Sequence, residues 1–323
     1  MRTYRRPALP LGMLFLLSIA LAACGVTLEP PANPPSYPDR TRAESIPSDA
    51  EKRRPEDDPT PPILHSEAYL DPVPLPGPVN TAGGEDSPFI APDGTLYFFF
   101  TPDVRVPLEE QLLDEVTGMY AASPLDSGWA EPERVWLQDP GLLSLDGCQY
   151  TDGETMWFCT AREGLTGLHW FTADWSDGEW TNWRIADFDP DYGVGELHIH
   201  GDDLYFHSDR PGGLGSNDLW MSTLEDGMWG DPVNLTTVNS AEDDSRPYIT
   251  QDGLELWFTR WYQGTPAVFR AFRTQDGWST PALIVSQFAG EPTLDADGNL
   301  YFVHHYFDNG VMLEADIYVA YRR

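Results

Sequence analysis

Carboxylates recur at one fixed place in this chain. Counted back from a downstream Asp-Gly or Gly-Asp turn, the same position holds Asp146, Glu196 and Glu291, while Ser87 and Arg246 hold it in two further copies. Glu85 and Asp86 lie just upstream of Ser87, and Asp243 and Asp244 just upstream of Arg246. Gathered around one axis, Asp86, Asp146, Glu196 and Glu291 with Arg246 would bind a cation, a basic peptide or a sugar. Converging acids also drive one another's pKa values apart, which acid–base catalysis uses. Asp146, Glu196 and Glu291 are therefore the candidate catalytic acids as well. The competing use is structural: acids that cap strand ends and accept hydrogen bonds from loop amides.

Other groups are weighed in the same way. Glu196-Leu-His198-Ile-His200 puts three polar groups on one face of a strand by its period of two, and His207 on the next strand could join them. Two histidines and a carboxylate make a transition-metal set, but histidines also pack between sheets as hydrogen-bonded core residues. His304 and His305 are adjacent, so a regular strand sends them to opposite faces. Asp187-Phe-Asp189-Pro-Asp191-Tyr-Gly193 has the look of a calcium loop, yet its glycine comes one place late and no glutamate closes it. A solvated acidic loop is the preferred reading there, and Ca2+ the one candidate cofactor. Cys148 and Cys159 lie in the two arms of one hairpin. A tight turn at Asp152-Gly153 would set Cys148 opposite Trp157, so their pairing stays open. Gly212-Gly-Leu-Gly215 lies in a strand connection with no helix after it, which excludes a nucleotide fingerprint. Trp170, Trp261 and Tyr262 fall off the regular pattern and are the aromatic ligand candidates.

What positions these groups is a repeat. Trp129, Trp180, Trp229 and Trp278 are separated by 51, 49 and 49 residues, and all but Trp180 carry a proline three places on. The displaced fifth copy stands at the front, as Tyr69-Leu-Asp-Pro72. Each unit also has a turn followed by an aromatic strand, at Asp93-Gly94, Asp152-Gly153, Gly201-Asp202, Asp252-Gly253 and Asp297-Gly298. Asp-Gly supplies the positive φ of a tight hairpin, and the aromatic residues after it suit a strand. An array that begins with its own last piece closes on itself. The expectation is an all-β, five-bladed β-propeller of four-stranded antiparallel blades, closed by an N-terminal outer strand. Helix is confined to a turn or two within 108–115.

The front of the chain reads differently. Arg2, Arg5 and Arg6 precede an apolar run too short to span a membrane as a mature helix, so residues 1–23 are a signal peptide. Residues 24–65 hold ten prolines and few large apolar groups, and read as a disordered tether. Residues 66–323 are the propeller. The formal net charge is −33, which disfavours nucleic acid and anionic membrane surfaces as partners.

Leu21-Ala-Ala-Cys24 resembles the bacterial lipobox, which implies acylation of Cys24, and Gly25 after it implies the outer membrane. Ser208-Asp-Arg-Pro-Gly-Gly-Leu-Gly-Ser-Asn-Asp-Leu-Trp220, Val238-Asn-Ser-Ala-Glu242 and Val79-Asn-Thr-Ala82 resemble the WD-like repeat of TolB and of envelope lipoproteins. That resemblance implies a monomeric binding or scaffolding module whose partner is an envelope protein, peptide or glycan, touching the membrane through its anchor alone. It brings no catalytic residues. Five-bladed glycoside hydrolases such as family 43 give the competing class, with Asp146, Glu196 and Glu291 as the source of the acid and base. Their His-Asp-Pro and Glu-Gly-Pro strand starts are absent here.

Overall fold

Five consecutive antiparallel runs carry the repeat. In the computed structural model, which describes residues 35–186, 188 and 192–323, Tyr37–Arg323 form one compact unit. The signal segment, Cys24 and the acids Asp187, Asp189 and Asp191 lie outside the described residues. The first run is Gly84–Ile90, Leu96–Thr101, Gly118–Ala122 and Glu133–Arg134. The second is Ser144–Thr151, Thr155–Arg162, His169–Ser176 and Glu179–Ile185. The third follows the same path from Leu197–His200 to Asp218–Glu225, against which both Met228–Trp229 and Val233–Asn234 pair. The fourth runs from Asp244–Ile249 to Ala282–Ser286. The fifth is Ala289–Leu294, Leu300–Asp308 and Val311–Ala320, and its outer strand, Val73–Pro74, comes from the front of the chain. A single parallel bridge, Ala315 to Gly84, joins the fifth run to the first, so hydrogen bonding counts four sheets.

The aromatic strand after each turn is the core. Phe98, Phe158, Phe206, Phe258 and Phe302 are all buried, each worth about 1.5–3 kcal/mol of apolar burial. Helix among the described residues amounts to Arg42–Ser45, Leu108–Gln111 and a 3-10 turn at Pro55–Asp57, none long enough to cross a membrane.

The inner strands share an irregularity. Register shifts between Asp86 and Phe89, Gly147 and Tyr150, Ser245 and Tyr248, and Gly290 and Thr293. At each shift one non-glycine residue has positive φ: Ser87 at 50°, Cys148 at 54°, Arg246 at 53° and Glu291 at 57°. Such bulges re-aim one side chain and leave its neighbour out of the ladder. Proline, which has no N–H to give, follows in three of the four, as Pro88, Pro247 and Pro292. Each bulge stores about 1–3 kcal/mol of backbone strain.

Residues 37–65 depart from the expected free tether. Tyr37 stacks on Trp136 with ring centroids 4.4 Å apart. Arg42 is buried against Glu85 at 3.2 Å. Lys52 meets Glu314 and Asp316, and Asp58 lies 2.8 Å from His304. Ile63–Leu64 then pairs as an extra strand on Ala282–Ser286. Composition correctly gives this segment little apolar surface to bury; it is held by ion pairs and strand pairing.

Candidate functional site

The four bulges and Glu196 meet at one place. A cavity of about 60 Å³ is lined by Ser87, Cys148, Glu196, Arg246 and Glu291, one residue from each run, with Gln149 beside them. Arg246 bridges two glutamates, its Nε 3.1 Å from Glu196 and 2.7 Å from Glu291. These are contacts of charge rather than directed hydrogen bonds, because Arg246 Nε, Glu196 Oε2 and Glu291 Oε2 are buried without a hydrogen-bond partner. Gln149 donates to the Ser87 carbonyl at 2.6 Å, and its own Oε1 is also unpartnered. Unmet acceptors at a buried site are the groups a ligand or water would satisfy. On its outer side Arg246 also walls an open depression of about 470 Å³, together with Ser216, Glu242, Asp243 and the half-exposed Trp261.

Electrostatics divide the acids. Burial pushes the Glu291 carboxyl up to about 8, against the pull of Arg246. Burial opposes ionisation of Asp86 too, but the adjacent His305, then the charge of Arg246, draw it down to about 2. His305 lies 3.6 Å from Asp86; burial lowers its pKa, and Asp86 and Glu291 more than reverse that. His207 sits 3.8 Å from Glu196 and is lowered, chiefly by burial. Its ring needs Gly195, where a Cβ would fall 2.0 Å from Nε2.

Of the acids expected here, Glu196 and Glu291 contact Arg246, Asp86 acts on it through charge from beside His305, and Asp146 does neither. Asp146 is buried elsewhere, accepting from Ser144 and Thr160 at 2.6 Å each and facing Arg162 at 3.3 Å. The turn in the second run begins two residues closer to its bulge, so Cys148 takes the central position. The same bulge settles the cysteines. It sets Gly147 rather than Cys148 in register with Cys159, and Cys148 and Cys159 form a disulfide across Cα atoms 5.4 Å apart.

The candidate metal set does not assemble, and no cluster of metal-ligating residues exists among the described residues. His198 lies among the rings of Phe89, Tyr150 and Tyr248, accepts from the Ile249 amide, and is pushed down to about 3 by burial. His200 faces the Gln251 carbonyl, and His207 accepts from the Arg246 amide. Of the aromatic candidates, Trp170 is buried and donates to the Val194 carbonyl, whereas Trp261 is half exposed. Gln149 escaped sequence reasoning, whereas His304 and His305 do part as expected, His304 to Asp58 and His305 to Asp86. The recurring residue-proline step at 87, 246 and 291 is the signal that marks the inward position.

No family model and no curated protein matches the chain. Among solved structures it is similar to TolB from Acinetobacter baumannii, at 14% identity over 75% of this chain and 55% of that one, with a TM-score of 0.45. It is also similar to an engineered GH43 glycoside hydrolase with endo-xylanase and exo-arabinofuranosidase activity, at 13% identity over 77% and 51% (TM-score 0.44). An endo-arabinase from Bacteroides thetaiotaomicron matches at 17% identity over 80% and 98% (TM-score 0.43). The chain thus spans about half the length of the first two.

Proposed function

We propose that this chain is a β-propeller of five four-stranded blades, closed by its N-terminal outer strand, that binds an envelope protein, peptide or glycan. In this reading acylated Cys24 anchors a monomer to the outer membrane. One observation carries the binding role: equivalent positions of all five runs converge on one cavity, and Arg246 opens from it onto a depression large enough for a ligand. Arg246 would be the polar anchor and Trp261 the stacking platform, with Glu196 and Glu291 holding the guanidinium in place. The test is capture from envelope extract by the full mature chain, run beside a glycan array. Binding that survives both Arg246→Ala and Trp261→Ala, with the fold intact, would move the site elsewhere.

A second reading, glycoside hydrolysis, has one observation in its favour. Glu291 is raised to about 8 while Asp86 is lowered to about 2, the split of acid and base that such chemistry needs. Against it, Arg246 lies directly on Glu291, and the cavity of about 60 Å³ is well below the roughly 300–1,000 Å³ of small-molecule sites. Reducing sugar released from arabinan or xylan by the wild type, and not by Glu291→Gln, would establish the enzyme.

A further inference from the structure

The second run departs from the others at its outer edge. Trp180 has no proline three places on, and the strand it opens continues as Glu179–Ile185 instead of stopping after two residues. Asn182, at φ 56°, marks a bulge in it, and the strand's extra length brings Trp183 to the edge. Facing it, the first run presents Trp136, on which Tyr37 stacks. Between them lies a cleft of about 720 Å³ that shares no lining residue with the cavity at Arg246. Trp175, half exposed, leans edge-on against Trp180 with ring centroids 4.9 Å apart.

Four carboxylates line the same cleft: Asp93, Glu131, Glu133 and Glu179. Its one lining guanidinium, Arg134, donates to the carbonyls of Thr117 and Met119 and lies over Tyr120 and Trp136. Gly118 makes that seat possible, since a Cβ there would fall 2.2 Å from Arg134 Nη2. Glu133 and Glu179 have no ion-pair partner among the described residues. The Tyr37 phenol registers the field: burial raises its pKa first, and the charges of Asp139 and Glu179 raise it further.

Indole faces and unpaired carboxylates together complement positive charge. Tryptophan is the best face for a cation, and desolvation within a cleft strengthens the attraction. A neutral sugar would use the indoles and leave the carboxylates unmatched. We propose that the cleft between the first and second runs is a second binding site, for an organic cation: an alkylammonium or guanidinium group that meets Glu133 and Glu179 with its stem on Trp175 and Trp183. A free amine and the side chain of a basic peptide share that chemistry.

Isothermal titration calorimetry on the full mature chain tests it, with tetramethylammonium, lysine and arginine tripeptides, a norleucine tripeptide and cellotetraose as probes. Saturable binding of at least one cationic probe is expected, about tenfold or more weaker for the norleucine peptide. Tetramethylammonium alone would identify a free amine, and the tripeptides alone a peptide side chain. Glu133→Gln with Glu179→Gln, and separately Trp175→Ala, should each weaken binding about tenfold. Arg246→Ala, which disables the central site, should leave it at the wild-type level. Thermal melts check that each variant is folded; if Trp175→Ala is not, the exposed double carboxamide variant decides alone. No saturation by any cation, equal binding of the norleucine peptide or cellotetraose, or indifference to the double variant would overturn the proposal. Loss of binding in Arg246→Ala would do the same, and would transfer the cation to the central site.

Discussion

The second and fourth runs neutralise their buried acids from within, whereas the first and fifth borrow the partner from residues 37–65. In the second, Asp146 faces Arg162, which lies 4.3 Å over Phe171; in the fourth, Asp244 meets Arg260 at 2.6 Å, which lies 4.8 Å over Phe269. Both arginines come from the neighbouring strand and also donate to a carbonyl before their own run, Leu137 and Val238. The first run has Phe100 in register with Glu85 where the fourth has Arg260 in register with Asp244. Arg42 fills the vacancy: it pairs with Glu85, donates to the Val79 carbonyl, and lies over Phe98, Phe100 and Tyr120. In the fifth run Lys52 does the same for Glu314 and Asp316. The lesson is that residues 37–65 are part of the domain's charge balance, although they bury little of its core.

The harshest way to break this comparison is to begin the chain at Ser66. Removing one partner of a buried ion pair costs about 3–5 kcal/mol, and this truncation strips Glu85, Glu314, Asp316 and His304 together. Melting at least about 10 °C lower is expected, beside a chain starting at Tyr37 that melts like the intact protein. Equal melting of the two would reduce the segment to decoration. Single substitutions sharpen the point. Arg42→Met should cost about 3 kcal/mol in denaturant unfolding, as Arg260→Met should in the fourth run. Adding Glu85→Gln should restore most of the loss, because it removes the buried carboxylate that Arg42→Met leaves without its cation. A cost for Arg42→Met under about 1 kcal/mol, the scale of an exposed pair, would make the borrowed cation a surface contact.

Much of this was legible in the sequence, and the failures have physical causes. The four tryptophans and five Asp-Gly or Gly-Asp turns mark the runs, because a strand needs its aromatic face and a hairpin its positive φ. Tyr69-Leu-Asp-Pro72 marks the front segment that supplies Val73–Pro74 to the last run. Counting back from the turn found Glu196, Arg246 and Glu291 and misplaced Asp146, because the distance from turn to bulge is not constant. The role of residues 37–65 was invisible to hydrophobic periodicity, since ion pairs and backbone pairing rather than an apolar face hold them. One trace was present: Lys52 is the only lysine in the chain, standing in a sequence with 52 acidic residues.

The smallest expected effect separates the Lys52 contact from the Asp58 contact by pH. Burial and Asp316 raise the Glu314 carboxyl from 4.5 to about 7, against the pull of Lys52. A carboxyl raised on folding supports the fold fully below its unfolded pKa, and that support drains as pH climbs through the folded value. Asp58 runs the other way. Burial opposes its ionisation, but His304 and Thr60 outweigh it and hold the carboxyl below 3.8. Its support is therefore present above that value and lost only in stronger acid. Denaturant unfolding at pH 5 and pH 8 should show wild type losing on the order of 1–2 kcal/mol more than Glu314→Gln across that interval. Asp58→Asn should lower stability at both pH values, because its carboxyl is ionised throughout. A Glu314→Gln curve parallel to wild type would place Glu314 as an ordinary ion-pair partner of Lys52, and the fifth run would then match the fourth, where Asp244 is likewise raised by burial and held by its own arginine.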